Sequence, residues 1–232
     1  MKLAVMQPYL FPYLGYFQLI RAVDAFVVYD DVNFINRGWI NRNSILAQGK
    51  ALRFTMELEA ASQNKLINEI EVKGRNDKLL KSIRQSYSKA PYFSQVFPVI
   101  EDILNQQERN LAHFLNYQLR KICDYLGLFP QWHFSSDIKK DKSLRGQDKI
   151  LAICQELGAE HYINLPGGVE LYDRHFFDSK GIELTFIQPL HSSYPQFGNE
   201  FVPHLSIIDV MMFNSPGGIQ NKLLKSYNIN KT

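Results

Sequence analysis

The sequence predicts an α/β fold, a Rossmann-like and mostly parallel sheet flanked by helices, with a helical insertion around residues 77–127. Two observations lead to this prediction. Residues 1–31 read as strand, loop, helix and strand within about 30 residues, the length of one βαβ unit. A second series of alternating helices and strands begins near residue 147. We therefore expect a single domain over residues 1–232.

The first unit begins with a short apolar strand that ends in Met6. Pro8 stops this strand because proline lacks the N–H that a continuing ladder needs. From Tyr16 onward the apolar residues follow helical spacing. A β-branched and aromatic run over residues 25–29 then predicts a second buried strand, which ends in Asp30 and Asp31.

Polar side chains follow both of these strands. In an open α/β sheet, ligands bind outside the carboxyl ends of the strands. This rule brings Gln7, Tyr9 and Tyr13 of the first loop beside Asp30 and Asp31. The alternative is that the aromatic residues pack a small core, although a core has little use for so many polar-tipped side chains.

Residues 33–43 contain Asn and Arg side chains around Trp39. Guanidinium groups bind phosphate or carboxylate in a fork geometry and also stack on aromatic rings. Arg37, Asn41 and Arg42 are therefore candidate ligands for a phosphate. The alternative is a surface loop with solvated arginines.

Two alternating stretches, residues 51–57 and 67–72, are predicted as strands, and the helical insertion follows them. Asp77 is suited to begin its first helix as an N-cap. A helical hairpin is expected over residues 98–126, and Gly127 ends it as a C-cap.

A strand is expected at residues 132–134, and Ser135 and Ser136 follow at its end. Together with Arg145, these hydroxyl groups are candidates for holding phosphate oxygens. Ser-Ser-Asp is equally ordinary turn chemistry. Beyond it, the pattern predicts a helix at 147–157, a strand at 161–165, a helix near 172–179 and a strand at 182–187.

The C-terminal part is rich in polar side chains and includes Tyr194, Gln196, His191 and His204. Residues 205–214 are almost continuously apolar and predict a buried helix. Residues 222–232 read as a frayed end.

Composition sets limits on the kind of protein. The chain has 232 residues, a net charge of +3 and two cysteines, Cys123 and Cys154, both within helical patterns. Such a small net charge does not by itself indicate a nucleic-acid partner, and buried free thiols suit a reducing compartment. No stretch approaches the ~20 apolar residues of a membrane span. We expect a cytoplasmic protein without membrane association.

Standard catalytic motifs are absent from the sequence, which has no Walker loop, GxGxxG, GxSxG, CxxC pair or HExxH. The six histidines show no metal-ligand spacing, so no metal site is predicted. His191 and His204 are the candidates for a catalytic base, although a histidine in such a position is more often a surface residue.

Several segments resemble the WbqC-like protein family. They are MQPYLFPYLGYF from Met6, WINRN from Trp39, APYF from Ala90, Ser135-Ser136, and the run from Tyr194-Pro195-Gln196 to LSIID at Leu205. The resemblance spans nearly the whole chain, and the opening motif is quite specific. It implies a protein of bacterial O-antigen or other surface-polysaccharide clusters that transfers glycine or another acyl group to an amino sugar.

The first unit also looks like that of nucleotidyltransferases, whose loop carries a (His/Thr)-x-Gly-His signature at the helix start. The matching positions are Tyr13, Leu14, Gly15 and Tyr16. Gly15 fits a close approach of backbone to a phosphate at a helix N-terminus. A tyrosine, whose pKa is near 10, can donate a hydrogen bond at neutral pH but has no cationic form, so it carries no positive charge toward a triphosphate. This argues against ATP as a cofactor.

The leading hypothesis is a transferase that acylates the amine of a nucleotide-linked sugar, with an aminoacyl adenylate or an aminoacyl-tRNA as the donor. In this hypothesis Gln7, Tyr9, Tyr13 and Asp30 line the acceptor pocket, and a histidine removes the amine proton. The residues assigned to the diphosphate are Arg37, Asn41, Arg42, Ser135 and Ser136. The alternatives are a nucleotide- or sugar-binding protein without catalysis and an ATP-using enzyme similar to nucleotidyltransferases.

Overall fold

The computed structural model describes residues 1–74, 76–190, 192–198 and 200–230. In this part of the chain the strands are β1 (Lys2–Met6), β2 (Ala25–Val28), β3 (Arg42–Ala47), β4 (Lys50–Thr55), β5 (Leu58–Glu59), β6 (Glu71–Val72), β7 (Gln131–Phe134), β8 (His161–Asn164), β9 (Glu183–Pro189) and β10 (Tyr227–Asn230). The helices are α1 (Leu14–Ala22), α2 (Asp77–Tyr87), α3 (Phe93–Asn105), α4 (Leu111–Leu126), α5 (Gly146–Glu156), α6 (Arg174–Asp178), α7 (Ile207–Phe213) and α8 (Pro216–Asn221).

Six strands form the central sheet, in the order β10-β9-β8-β1-β2-β7. All neighbouring pairs are parallel except β9 and β10. The chain adds β2 and β7 on one side of β1, then returns and adds β8 and β9 on the other. The direction of strand addition therefore reverses between β1 and β8, and such a switch point leaves a crevice at the carboxyl ends of the two strands.

Helices cover both faces of the sheet, as predicted. Along β1, Ala4 points into the cluster that contains α1, whereas Leu3 and Val5 point into the cluster that contains α5 and α6. Side chains of successive strand residues lie on opposite faces, so a strand buried on both faces must be apolar throughout. This explains why the strand patterns are continuous apolar runs.

The helical insertion is confirmed as α2, α3 and α4. Its hairpin starts earlier than predicted, because α3 begins at Phe93 and includes Pro98. The prediction placed the helix start at Pro98 because proline lacks an N–H. The helix in fact includes the turn before Pro98, where the rings of Phe93 and Phe97 stack with centroids 4.9 Å apart. Gly127 ends α4 in the left-handed conformation with φ +67°, as predicted.

Two local predictions were wrong. Residues 67–72 form a 3-10 turn at Ile67–Glu69 and only the two-residue strand β6. Ile67 and Ile70 are both buried, and a spacing of three residues suits a helical turn rather than a strand with one buried face. The end of the chain is not frayed up to residue 230, because β10 pairs with β9 and completes the sheet. An antiparallel edge strand of alternating polar residues gives a weak sequence signal.

Among the described residues, none of the helices combines the length and the apolar character that crossing a membrane requires.

Candidate functional site

A large pocket of about 1180 Å³ lies at the crevice between β1 and β8. Met6 and Gln7 enter it from the end of β1, Leu165 and Pro166 from the end of β8, and Gln188 from β9. The pocket therefore occupies the position that the strand order predicts for a ligand. We call it the switch-point pocket.

The lining of the switch-point pocket carries no Lys, Arg, Asp or Glu among the residues that the structure describes. Its members are aromatic, aliphatic or neutral polar, with His204 as the one ionisable exception besides the tyrosines in that part of the chain. The aromatic members are Tyr9, Tyr13, Trp39, Tyr194 and Phe201, and the neutral polar members are Gln7, Gln18, Asn43, Gln188, Ser192 and Ser193. Mostly apolar walls with a few placed polar groups are typical of small-molecule sites.

The first loop, residues 7–13, forms one wall of the pocket and has an unusual backbone. Phe11 is fully buried and adopts φ +45°, a conformation that L-residues with side chains rarely take. Its N–H donates to Gln118 Oε1 at 2.9 Å, and its carbonyl accepts from Asn43 Nδ2 at 2.6 Å. Two buried amide side chains from distant parts of the chain thus hold the strained residue in place.

The tyrosines of the opening motif divide into two groups. Tyr9 and Tyr13 line the pocket, and the Tyr9 hydroxyl accepts the N–H of Tyr13 at 3.3 Å. Tyr16 is fully buried below them and donates to the carbonyl of Gln7 at 3.1 Å. Burial raises the pKa of all three tyrosines. They remain protonated at physiological pH and can act as hydrogen-bond donors.

Helix α1 points its N-terminus at the pocket, where Leu14 and Gly15 belong to the lining. A helix N-terminus carries a partial positive charge. A side chain at position 15 would collide with the ring of Tyr13. Glycine here therefore lets that ring lie across the start of the helix.

Tyr194 also lines the pocket and belongs to a buried hydrogen-bond network. Its hydroxyl donates to Asp209 Oδ2 at 2.8 Å, Gln196 Nε2 donates to the same oxygen at 2.6 Å, and Tyr87 donates to Oδ1 at 2.8 Å. Burial raises the pKa of Asp209, and the three donors limit that rise. Gln196 is itself buried, so it supports the wall rather than lining it.

The mouth of the pocket carries three large apolar side chains, Ile35, Trp39 and Leu190, which are 51%, 56% and 44% exposed. Three of the predicted phosphate ligands lie close in sequence to Ile35 and Trp39 but not in the described lining: Arg37 and Asn41 precede β3, and Arg42 is its first residue. Arg42 donates through Nε to the carbonyl of Gly38 at 2.7 Å, and Asn41 donates to the carbonyl of Met56 at 2.8 Å.

Arg37 is exposed beside the mouth, with φ +59°. Of the two candidate bases, His204 is an exposed member of the pocket lining, also with a left-handed backbone at φ +59°. His191 lies outside the described residues.

The remaining predicted residues form a second group at the carboxyl ends of β2 and β7. Asp30 is 2% exposed and accepts the backbone N–H and the hydroxyl of Ser136 at 3.0 and 2.6 Å, together with Asn68 Nδ2 at 3.1 Å. Ser135 is fully buried. Arg145 donates to two carbonyls of its own loop. The structure therefore does not bring these four residues into the lining of the switch-point pocket.

Asp31 lies next to this group and is held by two lysines. Lys140 and Lys149, both with side chains only 4% exposed, approach its carboxylate at 3.0 and 2.9 Å. Burial raises the pKa of Asp31, but polar contacts with Ser135, Lys149 and Lys140 outweigh it and leave the pKa below its ordinary value. The charges of Asp30, Asp31, Lys140 and Lys149 cancel. We call Asp30, Asp31, Ser136, Lys140 and Lys149 the strand-end cluster.

Three important polar residues were missed by sequence reasoning. Gln118 sits in the apolar pattern of α4, Asp209 in that of α7, and Asn43 was noted only as part of the WINRN segment. For the first two the available signal was a polar residue at a position that helical spacing assigns to the buried face. Such a residue must find partners, because an unpaired buried polar group is costly.

Comparisons with known proteins agree with the opening motif. The model of the WbqC-like protein family matches residues 7–221. Uncharacterized protein Rv1507c of Mycobacterium tuberculosis is 28% identical over 218 residues, which cover 92% of this chain and 93% of the relative. No solved structure gives a significant match. Because the family model covers almost all of the chain, including the first loop and the network around Asp209, this protein belongs to the WbqC-like protein family.

Proposed function

We propose that the protein is a transferase that acylates the amine of a nucleotide-linked amino sugar during O-antigen or other surface-polysaccharide synthesis. The observation that carries the proposal is the uncharged, aromatic lining of the described part of the switch-point pocket. A sugar ring has apolar C–H faces and a rim of hydroxyl groups. Tyrosine and tryptophan rings suit the faces, and the hydroxyl and amide groups of Tyr9, Tyr13 and Gln7 suit the rim.

The size of the pocket supports a ligand larger than one sugar. Small-molecule sites span roughly 300–1,000 Å³, and a volume of about 1180 Å³ leaves room for a nucleotide. The sugar would occupy the uncharged interior near the first loop. The diphosphate would lie at the mouth, where Arg37 is exposed and where Arg42 is already anchored to Gly38. Trp39 would offer a stacking surface for the base.

The proposed reaction forms one amide bond. The neutral amine nitrogen of the sugar attacks the acyl carbon, and the bond from that carbon to the oxygen of the adenylate phosphate or the tRNA ribose breaks. The leaving oxygen takes the electron pair, and the amine loses one proton to a base. His204 is the candidate base within the described lining. Much of the rate would come from holding the amine and the acyl carbon together.

The experiment that tests the proposal compares two ligands that differ in one group. UDP-glucosamine and UDP-glucose differ only in an amine against a hydroxyl, so isothermal titration measures what the amine contributes. We expect tighter binding of UDP-glucosamine. Incubation of that complex with glycyl-tRNA, or with glycine and ATP, should yield a product heavier by one glycyl group in mass spectrometry. Equal binding of both ligands and no product with either donor would contradict the proposal.

A non-catalytic sugar-binding protein is the second candidate, and one observation favours it. His204, the one histidine in the described lining, is exposed, and among the described residues no hydrogen bond to its ring fixes a tautomer. An ATP-using enzyme finds less support. Of the two tyrosines at the nucleotidyltransferase-like positions, Tyr13 lines the pocket and Tyr16 is buried against Gln7.

A further inference from the structure

The first loop is held by a residue 107 positions away in the sequence. Gln118 lies on α4, in the helical insertion, and is fully buried. Its Oε1 accepts the N–H of Phe11 at 2.9 Å, and its Nε2 donates to the carbonyl of Tyr9 at 3.1 Å. One amide group therefore bridges the two residues that flank Leu10, and it uses both of its hydrogen-bonding ends to do so.

Asn43 holds the same loop from the other side. Its Nδ2 donates to the carbonyls of Leu10 and Phe11 at 3.0 and 2.6 Å, and its Oδ1 accepts the N–H of Ser44 at 2.8 Å. The carbonyl of Pro12 is bound in turn by the N–H of Ile207 at 2.8 Å. Consecutive carbonyls of the first loop thus have partners from α4, β3 and α7.

The backbone conformation of Phe11 requires such hydrogen bonds for an energetic reason. A non-glycine residue at φ +45° costs on the order of 1–3 kcal/mol and persists only where its surroundings enforce it. Without the two amides, Phe11 would relax toward negative φ and carry Tyr9 and Tyr13 with it. Both tyrosines line the switch-point pocket. No residue of α4 belongs to the described lining of that pocket.

We infer that Gln118 is a positioning residue, which holds the first loop in its ligand-binding shape and makes the helical insertion an essential part of the site. Asn43, which also belongs to the pocket lining, holds the same loop from β3. The inference rests on the proposed function only for the choice of ligand. Gln118 does not contact the ligand in this account. It acts through the backbone of Tyr9 and Phe11.

The substitution Gln118→Glu tests the inference because its effect depends on pH. At neutral pH the introduced carboxylate can accept the N–H of Phe11 but repels the carbonyl of Tyr9. When protonated, it can accept from Phe11 and donate to Tyr9, which restores both bonds. Burial raises the pKa of a carboxyl group, so protonation would occur above the ordinary value of about 4.3.

No other group of the loop titrates in this range. The ionisable side chains of the loop and of the ring packed on it are Tyr9, Tyr13 and Tyr16, and burial raises the pKa of each. Exposed His204 belongs to the same pocket and is present in parent and variant alike. The ratio of their affinities at each pH therefore isolates the introduced carboxyl group.

The measurements are the affinity for UDP-glucosamine and the hydrogen exchange of residues 7–13, at pH 7.5 and at pH 5. For Gln118→Glu at pH 7.5 we expect binding weaker by about 10- to 100-fold, the effect of an unmet buried hydrogen bond, and faster exchange in the loop. At pH 5 both should return most of the way to the parent. For Asn43→Asp the recovery should be incomplete, since a protonated carboxyl offers one donor to two carbonyls.

Gln106→Glu is the matched control. Gln106 also lies in the helical insertion and donates through Nε2 to two backbone carbonyls, those of Ile103 and Phe114. It does not belong to the described lining of the switch-point pocket. This variant should lose stability without a pH-dependent change in affinity or in the exchange of residues 7–13.

Two results would overturn the inference. One is unchanged loop exchange in Gln118→Glu at pH 7.5. The other is a loss in Gln106→Glu that equals the loss in Gln118→Glu and has the same pH dependence. If the parent does not bind UDP-glucosamine, the proposed function fails, and the loop exchange alone still decides whether Gln118 positions the loop. If Gln118→Glu does not fold at pH 7.5, Asn43→Asp and the exchange at pH 5 give the answer.

Discussion

The first loop and the strand-end cluster both follow strands of the same sheet, and both are rich in polar side chains. The first loop presents Gln7, Tyr9 and Tyr13 to a large pocket. In the strand-end cluster, by contrast, Asp30 is bound by Ser136 and Asn68, and Asp31 by two buried lysines. A polar residue at a strand end is therefore not by itself evidence of a ligand site.

The two regions differ in which groups have hydrogen-bond or ion-pair partners. In the first loop the internal hydrogen bonds are made mainly by the backbone, so the O–H donors of Tyr9 and Tyr13 remain available to a ligand. In the strand-end cluster the side chains form ion pairs and hydrogen bonds with one another and with the backbone, and their charges cancel. We expect substitutions in the first region to affect binding and those in the second to affect stability.

The largest effect is expected for Asp31→Asn. This change leaves Lys140 and Lys149 buried without a counter-charge, which should cost about 3 kcal/mol of the free energy of unfolding. Urea titration measures it. Asp102→Asn is the control, because Asp102 pairs with Lys121 on the surface and should cost at most about 1 kcal/mol. Similar losses in both variants would mean that the ion pairs of Asp31 stabilise the protein no more than a surface ion pair does.

The contribution of Asp31 should also depend on pH. Its pKa is lowered in the folded protein, so the stabilisation is fully present above the unfolded pKa, near 4, and is lost as pH falls through the folded pKa. The difference in unfolding free energy between the parent and Asp31→Asn should therefore shrink below about pH 4. Urea titrations from pH 6 to pH 2 test this, and a difference that stays constant would refute the ion pairing.

A smaller effect is expected for Tyr9→Phe, and in binding rather than in stability. Removal of the hydroxyl takes one donor from the pocket and one weak acceptor from the N–H of Tyr13. We expect a loss of about 1 kcal/mol in the affinity for UDP-glucosamine. Tyr117→Phe is the control, since that hydroxyl donates to Asp102 outside the pocket. A drop of several degrees in Tm with binding intact would assign Tyr9 to packing instead.

The smallest effect is expected for Arg37→Ala. Arg37 is exposed, so the free energy of unfolding should change by no more than about 0.5 kcal/mol. If the diphosphate lies at the mouth, affinity should fall and become less sensitive to salt. Titrations at 50 and 300 mM NaCl measure this. An unchanged salt dependence would remove Arg37 from the set of phosphate ligands.

Much of the fold followed from periodicity. The strand at residues 2–6 and the helix at 146–156 were close to their predicted positions because each is long or strongly apolar. Residues 58–59 and 227–230 were missed because their pairing depends on partners elsewhere in the chain. No local sequence pattern indicates that β10 pairs with β9.

The site was predictable only in part, for a similar reason. The first loop follows from its own motif, and Gln7, Tyr9 and Tyr13, which it predicts to lie together, share the lining of one pocket. Their role in binding stays a prediction. Asp30 was grouped with them because both follow neighbouring strands, but side-chain bonds to Ser136 direct it elsewhere. Gln118 touches the loop across 107 positions, a relation that only the folded chain establishes.

The central claim is that the switch-point pocket binds an amino sugar on a nucleotide diphosphate rather than ATP. The most direct test is a thermal melt with UDP- or dTDP-linked amino sugars, with ATP and magnesium, and with free glycine. A ligand at 100 times its Kd stabilises the folded state by roughly 2.7 kcal/mol, a shift of several degrees at this chain length. We predict the largest rise in Tm with a nucleotide-linked amino sugar, and a reduced rise in Tyr9→Phe. A rise with ATP alone would contradict the claim and favour adenylyl transfer.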